Sequence, residues 1–487
     1  MKKRYVTVLV LFMFLFSSVI GRCLYIALDK TNYISESYNS YEIEIGTLYT
    51  NIYDRKGIAL NNYKSVKVAV IEPDEKCLSE LELLFSSEKA KEIKETLEKG
   101  YPVSAQVEKE AETKFIKQYE KIIENPSDMP AKHLLSKEYG GLEYFESEEL
   151  GSFSVNYSIN ARGELLSGNS IFENNNNYYS KDGIIISIDN GIQHIAEKAS
   201  SSISKGAVVV LDVNTSQLLA SVSKGDDYIN RAISPYAIGS IFKLVVCACA
   251  LENGVSMSYK CNGSVKVSDT TFHCQNSKIH GLQNMKQALA NSCNCYFIQL
   301  ANELGANKLY STAQKLGFGK EISLYNDFKI SAPPMANLSD LSSLGELSLF
   351  AFGQGKLTDT PVHFASVIAM IANGGLYNYP TLDIIEGDNI RVLSEENSKT
   401  LREYMRYVVT DGTGRNADYK GKSAGKTSTA QSGSFVNGKE VLNTFFAGFY
   451  PYSNPKYAIV VMCENGNSGA EDCCPVFRTI VEMLDKM

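Results

Sequence analysis

The chain has 487 residues and a formal net charge of −7, so it is long enough for two or three domains with a full hydrophobic core. Its lysines, glutamates and aspartates are intermingled and form no basic stripe, which argues against nucleic acid as a partner. The 11 cysteines are an odd total, so at least one thiol is unpaired.

The first 28 residues predict a single transmembrane anchor. The cations of Met1–Arg4 precede an apolar stretch from Tyr5 to Ile20, which extends to Leu28 if Arg22 snorkels to the membrane surface. A cleaved signal peptide is the alternative, but the stretch ends without an Ala-x-Ala cleavage site. With an uncleaved anchor, the positive-inside rule predicts a single-pass protein of the cell membrane whose remaining chain lies on the extracytoplasmic side.

Residues 29–180 are predicted to form a separate N-terminal domain. Strand-like sequence surrounds a turn at Lys56-Gly57, and the stretch from Glu75 to about Ser127 has the Lys/Glu-rich pattern of amphipathic helices. The asparagine-rich run Phe172–Gly183 is polar and turn-forming, and we interpret it as the boundary. The predicted parts are therefore 1–28, 29–180 and 181–487.

Residues 181–487 have the pattern of one α+β domain. The stretch Gly206–Ser223 contains two apolar strands joined at Asn214-Thr215. Two more strands and a closing helix, Pro475–Met487, end the chain. Strands at both ends with helices between them predict one antiparallel sheet flanked by helices.

A serine and a lysine three residues apart stand at the head of an apolar helix. Ser-x-x-Lys recurs in the chain and has little weight alone. However, only Ser240 begins a buried helical run with its lysine, Lys243, on the same face one turn later. Because a buried ammonium group is costly unless it is paired or deprotonated, Lys243 is a candidate base for the Ser240 hydroxyl.

Two further polar motifs follow. Ser292-Cys293-Asn294 lies between an amphipathic stretch and an apolar helix. Residues 419–433 predict a strand rich in small and hydroxyl residues, with consecutive side chains on alternate faces. Its middle reads Lys426, Thr427, Ser428 and Thr429. Such an edge lets another backbone approach closely and donates hydrogen bonds to a carboxylate, so we expect it to bind peptide.

In this order, the three motifs are those of the penicillin-interacting serine enzymes. With flanking segments such as "NIYDRKGIAL" and "FGQGKLTDTPVHFASVIAMIANGG", the chain resembles the class B penicillin-binding proteins, membrane-anchored D,D-transpeptidases of peptidoglycan synthesis. The resemblance runs from about Gly46 to the C-terminus. It implies a transpeptidase domain like that of the serine β-lactamases, carried on an extended N-terminal pedestal domain.

The resemblance implies catalytic roles for five residues. Ser240 is the nucleophile that forms the acyl-enzyme, and Lys243 is its base. Ser292 relays a proton to the departing D-alanine, and Asn294 holds the substrate amide and Lys243. Lys426 supplies positive potential.

It also implies a substrate-binding segment. Thr427 and Thr429 bind the terminal carboxylate, and the backbone amides of Ser240 and Thr429 form the oxyanion hole. Gly239, immediately before the nucleophile, is also assigned to substrate binding. Ser428, assigned to the same substrate-binding segment, stands where the family usually has glycine, so its side chain lies where the ligand is expected to approach closely.

The implied reaction cross-links peptidoglycan stem peptides, β-lactams acylate the same serine, and no cofactor is needed. A multispanning membrane glycosyltransferase is the expected partner for glycan polymerisation. The alternatives are a D,D-carboxypeptidase, a β-lactam-sensing or hydrolysing protein like those of class D, and a catalytically inactive scaffold. The enzymatic alternatives share the Ser240 acyl-enzyme and differ in what the acyl group reacts with.

The cysteines raise a redox hypothesis. Cys293 lies inside the second motif, and a disulfide to Cys274 across the loop containing His280 would distort that motif. Buried thiols are the alternative, and Cys261 with Cys274 is another candidate pair. No metal site is predicted, because no second cysteine or histidine pair lies at ligand distance. His280 and His363 are interpreted as structural.

Overall fold

The computed structural model describes residues 2–28, 40–47, 51–139, 152–159, 165–174, 183–385, 387, 389–436 and 438–487. The chain divides into two compact units. The first comprises Met1–Tyr49, Lys64–Ile123 and Glu149–Tyr179, and the second comprises Thr50–Tyr63, Glu124–Glu148 and Ser180–Met487.

The helices and strands follow in chain order. Those before residue 180 are α1 (Lys2–Leu28), β1 (Ser40–Thr47), β2 (Ile52–Tyr53), β3 (Tyr63–Ile71), α2 (Glu75–Leu78), α3 (Leu81–Leu84), α4 (Ser87–Leu97), β4 (Val103–Gln106), β5 (Lys117–Glu124), α5 (Lys132–Leu135), β6 (Ser152–Ile159) and β7 (Leu165–Asn174). Those after it are β8 (Ile184–Ile185), α6 (Asn190–Ala199), β9 (Gly206–Asp212), β10 (Leu218–Lys224), α7 (Lys243–Glu252), β11 (Tyr259–Cys261), β12 (Ser264–Val267), β13 (Thr270–His273), β14 (Gly281–Gln283), α8 (Met285–Ala290), α9 (Asn294–Leu304), α10 (Ala306–Lys315), β15 (Ile322–Tyr325), β16 (Phe328–Ile330), α11 (Leu344–Ala351), α12 (Pro361–Ala372), β17 (Leu376–Tyr377), β18 (Ile390–Arg391), α13 (Glu395–Thr410), β19 (Ala424–Val436), β20 (Lys439–Tyr450), β21 (Tyr457–Glu464) and α14 (Cys474–Leu484).

Helix α1 contains the predicted apolar segment. Its stretch Arg4–Tyr25 has 22 residues and is long and apolar enough to cross a membrane. At about 1.5 Å per residue, such a helix spans about 33 Å, which matches a hydrocarbon core of about 30 Å. These residues are not buried by other parts of the protein, as expected of a segment that is apolar on all sides.

The first unit contains two three-stranded sheets, in the orders β1-β6-β7 and β4-β3-β5. Helices α2, α3 and α4 bury apolar residues against the second of these sheets. The prediction of helix from Glu75 to about Ser127 is wrong after Leu97, where the chain forms β4 and β5. Strand β4 turns Val103 and Ala105 inward, an alternation of only four residues within charged sequence.

The second unit is built on a five-stranded antiparallel sheet in the order β10-β9-β21-β20-β19. One face packs against α6 and α14, with Val208 and Val461 of the sheet among the buried residues. Because strand side chains alternate, the neighbouring residues face the other side, where the wholly buried α12 lies. This arrangement confirms the predicted α+β fold of an antiparallel sheet flanked by helices.

The segment Thr50–Tyr63 packs within the second unit, although the sequence assigned it to the N-terminal domain. Strand β2 pairs in parallel with β8, and the buried Asp54 carboxylate accepts a hydrogen bond from Asn190 N at 3.0 Å. The boundaries 1–28, 29–180 and 181–487 stay predictions. Most of the asparagine-rich run lies at 175–182, outside the described residues, as does the "GGLEYFESEEL" stretch at 140–150.

Candidate active site

Ser240 lies in a short 3₁₀ turn, Gly239–Phe242, that leads directly into α7. The apolar sequence of α7 buries every residue from Lys243 to Ala250, and the turn before it packs against β19. Ser240 itself is half-buried and lines a cavity of about 500 Å³. Its Oγ lies 2.9 Å from Lys243 Nζ, so the predicted contact one turn apart is present.

Lys243 is fully buried, and its Nζ is surrounded by polar acceptors. It donates to Asn294 Oδ1 at 2.7 Å and to the Ser292 carbonyl oxygen at 2.9 Å. Burial of the ammonium group lowers the pKa of Lys243 to about 8. Near neutral pH a useful fraction of this amine is therefore uncharged and able to accept the Ser240 proton.

The second motif bridges two lysines. Ser292 lies between α8 and α9, and its hydroxyl is 3.4 Å from Lys243 Nζ and 3.0 Å from Lys426 Nζ. Its backbone adopts φ = +53°, a left-handed conformation that disfavours a non-glycine residue. Asn294 begins α9, and its Nδ2 donates to the His273 carbonyl oxygen at 3.0 Å. The turn at Ser292 is thus held by the hydrogen bonds of the Ser292 hydroxyl on one side and of the Asn294 side chain on the other.

The third motif lies on β19, at the edge of the five-stranded sheet. Lys426 is fully buried, and burial together with the nearby charge of Lys243 lowers its pKa well below the usual value. Thr427, Ser428 and Thr429 line the same cavity as Ser240. The structure therefore brings all three sequence motifs to one site.

Ser428 and Gly239 fit tightly against each other. The Ser428 hydroxyl donates to the Ile238 carbonyl oxygen at 2.7 Å, so it is engaged with the turn before Gly239. A Cβ added at Gly239, where φ is +55°, would lie 2.7 Å from Ser428 Oγ and 2.8 Å from Ala430 Cβ. The serine in place of the usual glycine thus ties β19 to the nucleophile's turn.

Two supporting residues of the site were not predicted from the sequence. Gly353 accepts a hydrogen bond from Gly239 N at 2.9 Å, and a Cβ at Gly353 would lie 2.0 Å from Gly239 O. Thr413 Oγ1 lies 2.5 Å from Thr427 Oγ1 and lines the cavity. Gly353 lies in the segment that begins Phe-Gly-Gln-Gly, which contributes only to the family resemblance, whereas nothing local marks Thr413.

A group of metal-ligating side chains lies beside the second motif. The ligand atoms of Cys261, Cys274, His280 and Cys293 all lie within 4.8 Å of one another. The expectation that no second cysteine or histidine pair reaches ligand distance is therefore wrong, because the pairs converge through the fold rather than through sequence spacing. Cys274 and Cys293, proposed as a redox pair, are free thiols with sulfurs 3.7 Å apart.

Residues 206–482 match the family described as the penicillin binding protein transpeptidase domain. This match covers more than half of the chain, and the fold and motif geometry agree with it. The protein belongs to this family, and it is of the class B penicillin-binding protein type.

Curated relatives support this assignment. Stage V sporulation protein D of Bacillus subtilis (strain 168) is 27% identical over 373 residues, which cover 67% of this chain and 56% of that protein. Peptidoglycan D,D-transpeptidase MrdA of Acinetobacter baumannii is 27% identical over 362 residues, or 60% of this chain and 53% of that protein. The chain thus spans just over half the length of these relatives.

A similar fold occurs in the solved complex between a penicillin-binding protein (PBP2) and MreC from Helicobacter pylori. The matching chain has a TM-score of 0.66 and 21% identity, and the match covers 92% of this chain and 99% of that chain. At this identity, the likeness supports the fold alone.

Proposed function

We propose that the protein is a serine D,D-transpeptidase that cross-links peptidoglycan stem peptides through an acyl-enzyme at Ser240. The observation that carries this proposal is the 2.9 Å contact between Ser240 Oγ and the buried Lys243 amine, whose pKa is about 8. A serine hydroxyl is a weak nucleophile unless a base lies within hydrogen-bonding distance. Lys243 meets that requirement without a histidine.

Acylation begins when Ser240 Oγ attacks the carbonyl carbon of the penultimate D-alanine and passes its proton to Lys243. The backbone amides of Ser240 and Thr429 are our candidates for the oxyanion hole, and one such donor contributes about 2.7–4 kcal/mol to lowering a barrier. The tetrahedral intermediate then breaks the C–N bond to the terminal D-alanine. Ser292 hydrogen-bonds both lysines and can relay the proton that the leaving amine needs.

Substrate would lie along the β19 edge. Lys426, whose amine hydrogen-bonds the Ser292 hydroxyl and the Thr427 carbonyl oxygen, would supply positive potential when protonated, and Thr427 and Thr429 provide hydroxyls for the terminal carboxylate. Asn294 would hold the substrate amide through the same side chain that orients Lys243. An acceptor amine from a neighbouring stem peptide then attacks the ester carbonyl, forms the cross-link and releases Ser240.

We place this reaction at the outer face of the cell membrane, with α1 as a single-pass anchor. Stem peptides and β-lactams are the proposed ligands, and a multispanning glycosyltransferase is the proposed partner that makes the glycan strands. The PBP2 chain of similar fold from Helicobacter pylori was solved in complex with MreC.

The test uses a donor peptide ending in D-alanyl-D-alanine, with and without an amine acceptor, and the full chain in detergent. The wild type should release D-alanine and form the cross-linked product, and Ser240→Ala should do neither. Release of D-alanine followed only by hydrolysis of the acyl-enzyme, with no cross-linked product at any acceptor concentration, would favour a carboxypeptidase. Rapid turnover of a penicilloyl-enzyme would favour a β-lactam-hydrolysing protein, and no acylation at all would favour a scaffold.

A further inference from the structure

Four buried or half-buried side chains converge beside the second motif, and the proposed reaction uses none of them. They are Cys261, Cys274, His280 and Cys293. We propose that they bind one Zn²⁺ ion in a structural Cys₃His site. This site goes beyond the transpeptidase chemistry, because no step at Ser240 requires a metal.

The distances fit a tetrahedral zinc ion. Zinc–sulfur bonds of about 2.3 Å and zinc–nitrogen bonds of about 2.0–2.1 Å put two sulfurs about 3.8 Å apart and a sulfur and a nitrogen about 3.6 Å apart. Cys274 Sγ lies 3.7 Å from both Cys261 Sγ and Cys293 Sγ. Cys261 Sγ lies 3.5 Å from His280 Nδ1. These three edges match the tetrahedron, and the other three are no longer than 4.8 Å.

Backbone donors are in place for two of the sulfurs. Gly263 N donates to Cys261 Sγ and Tyr296 N donates to Cys293 Sγ, each at 3.4 Å. Cys293 is also the N-cap residue of α9, where the helix dipole favours negative charge. Metal-bound thiolates are commonly supported by such outer hydrogen bonds. The surroundings therefore suit thiolate ligands and not only packed thiols.

The segment that carries three of the ligands has almost no apolar core of its own. Throughout Tyr259–Gln283, which is fully described, Val267 is the one buried apolar side chain apart from the cysteines. Ile279 and Leu282 are 69% and 72% exposed. Small units that bury this little apolar surface usually need a disulfide or a metal to hold their shape.

The ligand set indicates zinc in a structural role. Three sulfurs and one imidazole nitrogen form a recognised structural zinc set, and four protein ligands leave no open position for water or substrate. The fifth nearby thiol, Cys295, lies 3.4 Å from Cys274 Sγ but is not part of the four-ligand group. It therefore offers a matched control within the same cluster.

Zinc would position the second catalytic motif. Cys293 lies between Ser292 and Asn294, and Asn294 Nδ2 donates to the carbonyl oxygen of His273, the neighbour of Cys274. Joining Cys274 to Cys293 through the metal would fix both sides of that hydrogen bond. We therefore describe the four ligands as positioning residues, which act on Lys243 through Asn294.

The first experiment measures metal on the full chain, purified in detergent without chelator. We expect about one zinc per chain by inductively coupled plasma mass spectrometry. Replacement by Co²⁺ should give thiolate-to-cobalt charge-transfer absorption and the intense d–d bands of tetrahedral cobalt. A wild-type protein that takes up neither Zn²⁺ nor Co²⁺ overturns the proposal, whatever the variants do.

The second experiment uses variants. Cys261→Ser and His280→Ala should each lower zinc content, weaken the cobalt bands and lower the Tm, whereas Cys295→Ala should retain one zinc. Full zinc content in both ligand variants, or loss of zinc only in Cys295→Ala, contradicts the proposed ligand set. Peptide mass mapping of unreduced protein provides a separate check, because a Cys274–Cys293 disulfide at full occupancy would replace the metal site with a redox pair.

These readouts do not depend on the proposed reaction. Zinc content and cobalt spectra stay informative if Ser240 is never acylated, and Ser240→Ala should bind zinc like the wild type. Penicillin acylation after zinc removal adds a functional readout: if zinc positions the second motif, the acylation rate should fall and should recover when Zn²⁺ is restored.

Discussion

Helix α7 and the segment Tyr259–Gln283 both adjoin the second motif, but different forces hold them. Lys243 and the seven residues that follow it in α7 are all buried in the packed core. Tyr259–Gln283 buries one apolar residue besides its cysteines, and it carries three of the four potential metal ligands, with Cys293 in the chain just beyond it. A lysine whose pKa is lowered by burial needs rigid surroundings from which water is excluded, and apolar packing supplies them. A short polar segment can be fixed equally well by a few strong ligands.

The largest expected effect comes from removing the base from the packed region. Lys243→Met keeps the apolar stem but removes the amine, so penicillin acylation of Ser240 should slow by about 10²–10⁴-fold, the usual contribution of a general base. The exposed Lys439→Met is the control and should acylate at the wild-type rate. Fluorescent-penicillin labelling over time measures both rates, and unchanged labelling of Lys243→Met would exclude this lysine as the base.

A second substitution tests how tightly the nucleophile's turn is packed. In Gly353→Ala the new Cβ would lie 2.0 Å from Gly239 O, and residue 353 has φ = +75°, which disfavours alanine. We therefore expect the free energy of unfolding to fall by several kcal/mol and the rate of acylation at Ser240 to fall with it. Gly254→Ala is the matched control, since φ is +64° and no atom lies within 4 Å of the added Cβ. It should cost only about 1–2 kcal/mol, from backbone strain alone. Equal Tm losses in the two variants would show that packing around Gly239 has no special importance.

A matched pair of valine truncations compares the two regions directly. Val246→Ala in α7 should lower the free energy of unfolding by about 2–3 kcal/mol, because it removes buried methyl groups and leaves a cavity. Val267→Ala in the segment Tyr259–Gln283 should lower it by about 1 kcal/mol or less, since ligands rather than packing hold that segment. Denaturant titration of both variants measures the difference. A larger loss for Val267→Ala would reverse the comparison.

The smallest expected effect concerns Ser428, the serine that replaces the usual glycine of the third motif. Ser428→Gly removes the hydrogen bond to the Ile238 carbonyl and should cost about 1 kcal/mol of stability. Because this hydroxyl is already engaged with Ile238, acylation should change by no more than a few-fold. Ser432→Gly is the control on the same strand, where the hydroxyl donates to the Val441 carbonyl at 2.6 Å. A large gain in acylation for Ser428→Gly alone would show that the serine obstructs the ligand.

The parts of the molecule that could be predicted from sequence depend on local patterns. Ser240 and Lys243 are one helical turn apart, so their contact follows from helix geometry once the helix is recognised. The five-stranded sheet follows from long apolar strands. In contrast, β4 shows only four residues of alternation within charged sequence, too few to outweigh the helical pattern around it.

The pairs Cys274 with Cys293 and Cys261 with Cys274 were proposed from the sequence and lie close together, but the joint four-ligand cluster was not predicted because its geometry is tertiary. Cys261, Cys274 and His280 lie on separate strands and loops, and Cys293 comes from the start of a helix, so no fixed spacing joins them. Thr413 is similar, since it reaches Thr427 only through the fold. Residue spacing identifies ligands or partners when one element carries them, as the first motif shows, and fails when several elements converge.

The pH dependence of acylation at Ser240 tests most directly whether an uncharged Lys243 activates this serine. The pKa of Lys243 is lowered to about 8, and only the neutral amine can accept a proton. The rate of benzylpenicillin acylation, followed by intact mass and mapped to the Ser240 peptide, should therefore rise as the pH increases through about 8 and then level off. A rate that is flat from about pH 6 to 10, or an adduct on another residue, would contradict this mechanism.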